Sequence, residues 1–139
     1  MEYKTAVRSS TMSITKQYQD NAGKTDSNNY QPVVDRLNDD KIAKLIHYSF
    51  GLGTEAGELQ DAVKKYIAYG KPLDVTNLKE EVGDLLWYIA RICSLYGWDM
   101  QDVMDINIKK LKARYPEKFT EENAIVRDLN KERQILEQK

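Results

Sequence analysis

The chain has 139 residues, enough for one domain with its own core and too few for two comfortable ones. Its 41% hydrophobic and 31% charged residues fit a globular chain and exclude a disordered one. A net charge of −1 and a pI of about 5.9 give no global attraction for a nucleic-acid backbone, so no nucleic-acid partner is expected, and no apolar run approaches the roughly 20 residues of a membrane span.

Only 7 Gly and 3 Pro interrupt the chain, which favours long helices. Residues 2 to about 18 predict a first helix with sparse apolar positions at Tyr3, Val7, Met12 and Ile14. Met1 to Met12 has no apolar signal-peptide core, and the single cysteine, Cys93, excludes an internal disulfide, so a cytoplasmic location is expected. Asp20 to Gln31 is polar and reads as a loop. Leu37 to about Tyr69 reads as a helix, kinked or restarted near Gly51 and Gly53, and ended by Gly70-Lys71-Pro72. Asp74 or Thr76 caps the next helix, which runs to Tyr96 and stops at Gly97. Asp99 caps a third, to about Tyr115 before Pro116, and Thr120 caps a last helix through Glu137. The expected fold is all-α, an antiparallel helical bundle. It forms a single domain over residues 1–139, with a core at about 37–119 and a C-terminal helix at about 120–137.

Two short motifs repeat 26 residues apart: Glu55-Ala56-Gly57-Glu58 and Glu81-Val82-Gly83-Asp84. Acids three apart share one side of a helix, a pattern that is common on solvated faces. The helical wheel gives these acids more weight. With Leu59 at zero, Leu52, Ala56, Val63 and Tyr66 form an apolar stripe, and Glu55 and Glu58 fall on its flank at roughly −40° and −100°. With Leu85 at zero, Leu78, Val82, Ile89 and Ile92 form the stripe, and Glu81 and Asp84 take the same two offsets. The connection from Tyr69 to Thr76 is short, so the helices should pack antiparallel. Reversing one helix reverses the sense of its wheel, so the two acidic flanks project to the same side of the pair.

Four unpaired carboxylates there would repel and raise one another's pKa values. A divalent cation resolves the conflict, and an all-oxygen donor set selects Mg²⁺, Mn²⁺ or Ca²⁺ over zinc or copper. Mg²⁺ held this way suits phosphoanhydride chemistry. A di-iron bundle is disfavoured, because it needs two Glu-x-x-His pairs and the single histidine, His47, lies in none. On the third helix, with Leu111 at zero, Asn107, Lys110 and Arg114 fall on the flank that the acids occupy in the other two. An amide can read a sugar or base, and a lysine and an arginine can hold phosphate oxygens. Lys65 and Arg91 also lie toward the acidic flanks, placed for phosphate contact or for local ion pairs, whereas Lys64 points elsewhere. Cys93 lies on the apolar side of its helix and reads as core, and Trp87 falls off the stripe.

The stretch from Gly51 to Leu59 with Lys64-Lys65, then Glu80 to Tyr88, then Asn107 to Lys110 with Leu111 and Arg114-Tyr115-Pro116, resembles in order and spacing the three motifs of MazG-like nucleotide pyrophosphohydrolases. The likeness spans roughly Lys44 to Phe119. It implies an all-α enzyme that cleaves a nucleoside triphosphate between the α and β phosphates, by water attack at the α-phosphorus, to give monophosphate and pyrophosphate. Glu55, Glu58, Glu81 and Asp84 match the family's Mg²⁺ ligands; the charges of the site make them the expected catalytic acids, with Glu55 or Glu58 taking the water's proton. Asn107 and Lys110 match positions that contact nucleotide; Arg114 and Lys65 are further phosphate contacts expected from their helix faces rather than from the resemblance. The likeness also implies a homodimer or homotetramer with its site near a subunit interface. Thr54 departs from the pattern, standing where many members carry the first of two adjacent acids. Other readings are a relative specialised for dUTP or a phosphoribosyl nucleotide, and a non-enzymatic helical interaction protein whose acids form a solvated seam.

Overall fold

The computed structural model describes residues 13–138, and among them every regular element is an α-helix. The chain divides into two compact units, Met1–Asn38 and Asp39–Lys139. The first unit holds α1 (Ile14–Gly23) and α2 (Gln31–Leu37). The predicted first helix falls largely outside the described residues. What is described begins later and runs further, into the segment read as a loop. Ser13 caps α1 by accepting the Lys16 N–H at 3.2 Å, and Lys16 pairs with Asp20 at 2.6 Å one turn on. α2 was not foreseen; Pro32, in its first turn, is the signal for it.

The second unit opens with α3 (Asp40–Tyr69), 30 residues without interruption. It begins three residues later than expected because Asp39 is extended and accepts the Lys41 and Ile42 N–H groups at 2.8 and 3.3 Å. Gly70, at φ +62°, ends it in a left-handed conformation that costs glycine nothing. α4 (Val75–Tyr96) is capped by Asp74, which accepts the Asn77 N–H at 3.0 Å, so Asp74 rather than Thr76 starts the helix. α5 (Met100–Arg114) is capped by Asp99 as expected.

The single C-terminal helix expected over 120–137 is instead two, α6 (Glu121–Ile125) and α7 (Leu129–Leu136). Val126 is extended, and Asp128 restarts the helix by accepting the Lys131 N–H at 3.0 Å.

α3 packs against α4, and α5 against α7. No break occurs at Gly51. That glycine instead lets the two long helices approach, since a Cβ there would overlap the Tyr88 ring. Leu52, Ala56 and Leu59 from α3 and Leu78, Leu85 and Ile92 from α4 are half-buried, and Cys93 is buried as expected. α3 covers only part of the α4 stripe, because Val82 and Ile89 stay exposed.

The second helix pair is fastened by charge. Glu132 is 5% exposed and accepts two bidentate guanidinium contacts, from Arg114 at 2.8 and 2.6 Å and from Arg127 at 3.3 and 2.6 Å. Hydrogen bonds from Arg114 and then Arg127 hold the Glu132 carboxyl down at about 2. A depressed carboxyl contributes stability above its ordinary range near 4.5, and the contribution is lost as pH falls toward 2. Glu132→Ala leaves two guanidiniums without their acceptor and should lower the unfolding midpoint at pH 7 by roughly 5–10 °C. The deficit should shrink as calorimetric scans move toward pH 2.

Candidate metal centre

The acids meet because α3 and α4 run in opposite directions. One turn forward along α3 leads from Gly51 to Glu55, and one turn back along α4 leads from Tyr88 to Asp84. Three residues further each way bring Glu58 and Glu81 level. One carboxylate oxygen from each of Glu55, Glu81 and Asp84 lies within 4.8 Å of the others. Glu58 is exposed, stands outside this trio, and lines the groove beside it. That groove holds about 790 Å³ between α3, the connection and the start of α4, and Thr54, Lys65, Lys71 and Glu81 also line it.

The electrostatics are those of an uncompensated acid cluster. Burial, followed by the charges of Glu58, Asp84 and Glu81, pushes the Glu55 carboxyl above its ordinary range. Glu81 is 4% exposed, and its Oε1 accepts a hydrogen bond from Asn77 Nδ2 at 2.7 Å. The oxygens around a Mg²⁺ ion stand ~3–4 Å apart, given ligand distances of ~2.1 Å. The trio therefore needs only a slight closing to share one ion. An all-carboxylate set with a nearly buried member, helped by a neutral amide, fits a hard divalent cation.

A raised carboxyl contributes stability below the ordinary pKa of 4.5, and that contribution is lost as pH rises through the folded value. The ion-free protein therefore carries a growing penalty at this cluster toward neutral pH. Added Mg²⁺ should raise the melting temperature more at pH 7 than at pH 5, by several degrees at saturating ion. An equal shift at both pH values would contradict this electrostatic picture.

The other predicted residues are distributed differently. Lys65 lines the groove and is ion-paired with Asp61 at 2.6 Å. Lys64 does not line the groove, in keeping with its wheel position, and it too reaches Asp61, at 2.5 Å, three residues away on the helix. Hydrogen bonds from both lysines, Lys64 first, hold Asp61 at about 2. Arg114, expected at phosphate, is taken up by Glu132. Asn107 is exposed and Lys110 half-buried on α5, which contributes nothing to the lining of this groove. Arg91 sits over the Tyr48 ring, 5.7 Å from its centroid. Trp87 is half-exposed and meets Tyr48 and Tyr88 edge-on. Asn77 is not marked out by the sequence patterns, and Lys71 stands in them only as part of the Gly70-Lys71-Pro72 helix stop. An amide four residues before Glu81 was the available sign for Asn77.

The chain matches the family model described as MazG nucleotide pyrophosphohydrolase domain over residues 46–119, just over half of its length, a span that contains all four acids. It is similar to the Gene 37 protein of Mycobacterium phage L5, with 34% identity over an 80-residue alignment that covers 54% of this chain and 69% of that one. No solved structure matches it. No helix among the described residues is long and apolar enough to cross a membrane.

Proposed function

The chain belongs to the MazG nucleotide pyrophosphohydrolase family, and from that premise we propose that it hydrolyses nucleoside triphosphates to monophosphate and pyrophosphate, with Mg²⁺ held by Glu55, Glu81 and Asp84. The observation that carries the reading is the convergence of these three carboxylates from two helices beside an open groove. When bound, the ion offsets charge on the phosphate oxygens and orients the phosphate chain. Mn²⁺ is expected to substitute, since it accepts the same oxygen donors.

Glu58 is the carboxylate left free beside the trio, and we assign it the proton of the attacking water. A bond forms between the water oxygen and the α-phosphorus. The bond from that phosphorus to the bridging oxygen breaks, and its electron pair leaves with pyrophosphate. Lys65, on the groove wall, offsets charge on the departing phosphates by exchanging Asp61 for a phosphate oxygen. The family likeness, which spans both residues, is what supports Asn107 and Lys110 as nucleotide contacts, since α5 does not line this groove.

The reading includes a homodimer or homotetramer. Tyr48 and Cys93 are the buried hydrophobic side chains among the described residues, while Phe50, Tyr66, Leu86, Trp87 and Ile108 stand about half exposed or more. So small a core beside so much apolar surface calls for a second copy. Light scattering at micromolar concentration should return a multiple of the 16.1 kDa chain, and a monomer mass would overturn this part.

The experiment for the activity is a panel of ribo- and deoxyribonucleoside triphosphates and phosphoribosyl nucleotides, incubated with and without Mg²⁺. Products are separated by anion exchange. Monophosphate with pyrophosphate, formed only with the ion, is the expected result. Diphosphate with phosphate would overturn the reaction assigned.

A further inference from the structure

We propose that Asn77 is a positioning residue for the metal centre, fixing the Glu81 carboxylate in the orientation that presents an oxygen to the cation. This rests on the reading of the three acids as metal ligands. An ionised carboxylate only accepts hydrogen bonds, so the contact at 2.7 Å is a donation from the amide nitrogen of Asn77 to Oε1. Glu81 is 4% exposed, so little water is at hand to do the same work. A carboxylate that accepts one such bond keeps lone pairs on both oxygens for an ion.

The geometry of the helix start supports the assignment. Asn77 is the third residue of α4, and its backbone N–H is bound by the capping Asp74 at 3.0 Å. A polar side chain at this position often turns back to the capping residue's own N–H. Here the amide turns forward, one turn along α4, to Glu81. The capped backbone anchors the donor, and the donor anchors the ligand. Asp74, Asn77 and Glu81 all line the groove, so the cap, the amide and the acid form one continuous wall of it.

The test is Mn²⁺ binding, followed through the paramagnetic resonance signal of free Mn²⁺, in the full-length wild type, Asn77→Leu, Asn77→Gln and Glu81→Gln. Each protein is also melted without any divalent ion. Leucine has the branching of asparagine with methyls in place of the amide atoms and is a better helix former, so it removes the donor without lowering helix propensity in α4. Lost support of a ligand from its outer shell typically weakens metal binding 10–100-fold. Asn77→Leu should bind Mn²⁺ about 10-fold or more weakly, and its ion-free melting temperature should fall as well, because Glu81 loses its donor where little water can replace it. Asn77→Gln, which keeps an amide at the same spacing, should recover part of the loss.

Wild-type affinity in Asn77→Leu overturns the proposal while leaving the metal centre intact. So does weakened binding with no recovery in Asn77→Gln, which marks a merely structural residue. Equal affinity in wild type and Glu81→Gln removes the metal centre itself, and the proposal with it.

Discussion

Glu81→Gln is expected to leave the helices folded and to lower Mg²⁺-dependent hydrolysis by about three orders of magnitude. Glutamine has the shape of glutamate, and its amide oxygen still accepts the Asn77 hydrogen bond, so packing at this 4% exposed position is kept. What disappears is the one charged ligand supplied from a nearly dry position. An ion's stabilisation of a reacting phosphate amounts to several kcal/mol, and each ~1.4 kcal/mol is tenfold in rate. The same change removes one of the like charges that press on Glu55. The ion-free variant should therefore melt no lower than wild type, while the Mg²⁺-induced rise in melting temperature is lost. Wild-type turnover in folded Glu81→Gln would sink the site assignment.

The second large effect is expected at Gly51. A Cβ there would overlap the ring of Tyr88, which is itself held edge-on against His47 and Trp87, with centroids 6.1 and 4.9 Å away. Gly51→Leu adds a branched chain to that contact. Overpacking of this kind typically costs ~1–3 kcal/mol. The helix-propensity gain over glycine returns at most ~1 kcal/mol, so the net effect is destabilising. It should also reach the acids, because Glu55 and Asp84 lie one turn from this crossing on their own helices. Spreading α3 from α4 widens the trio, so Mg²⁺ affinity should fall together with the melting temperature. Gly53→Ala is the matched control, since a Cβ there meets nothing within 4 Å. It should be neutral or slightly stabilising and leave ion binding unchanged.

The all-α fold and the convergence of the acids were legible because both rest on period and connection length. The short link after Gly70 dictates an antiparallel pair, and the shared wheel offsets then bring all four acids to one side; Glu55, Glu81 and Asp84 meet there, whereas Glu58, at the same offset as Asp84, stays outside the trio. The ends marked by Gly70, Gly97 and Asp99 could be read because each has a local physical cause. The restart at Asp128 was legible in principle as a capping aspartate but is masked by a pattern that continues through it. Gly51 was less readable. A glycine within a helix signals a kink or a close approach equally well, and only the partner ring of Tyr88 decides. Arg114 was the least readable. A wheel places a cation on a flank, but the acid that claims it, Glu132, lies 18 residues away on another helix.

On the proposed reading, this acid cluster directs water to the α-phosphorus of a nucleoside triphosphate. Hydrolysis in water enriched in oxygen-18, with Mg²⁺ present and products weighed by mass spectrometry, tests it most directly. The heavy oxygen should appear in the nucleoside monophosphate, with pyrophosphate unlabelled. Label in pyrophosphate, or in free phosphate released beside a diphosphate, would place the attack on another phosphorus and contradict the account.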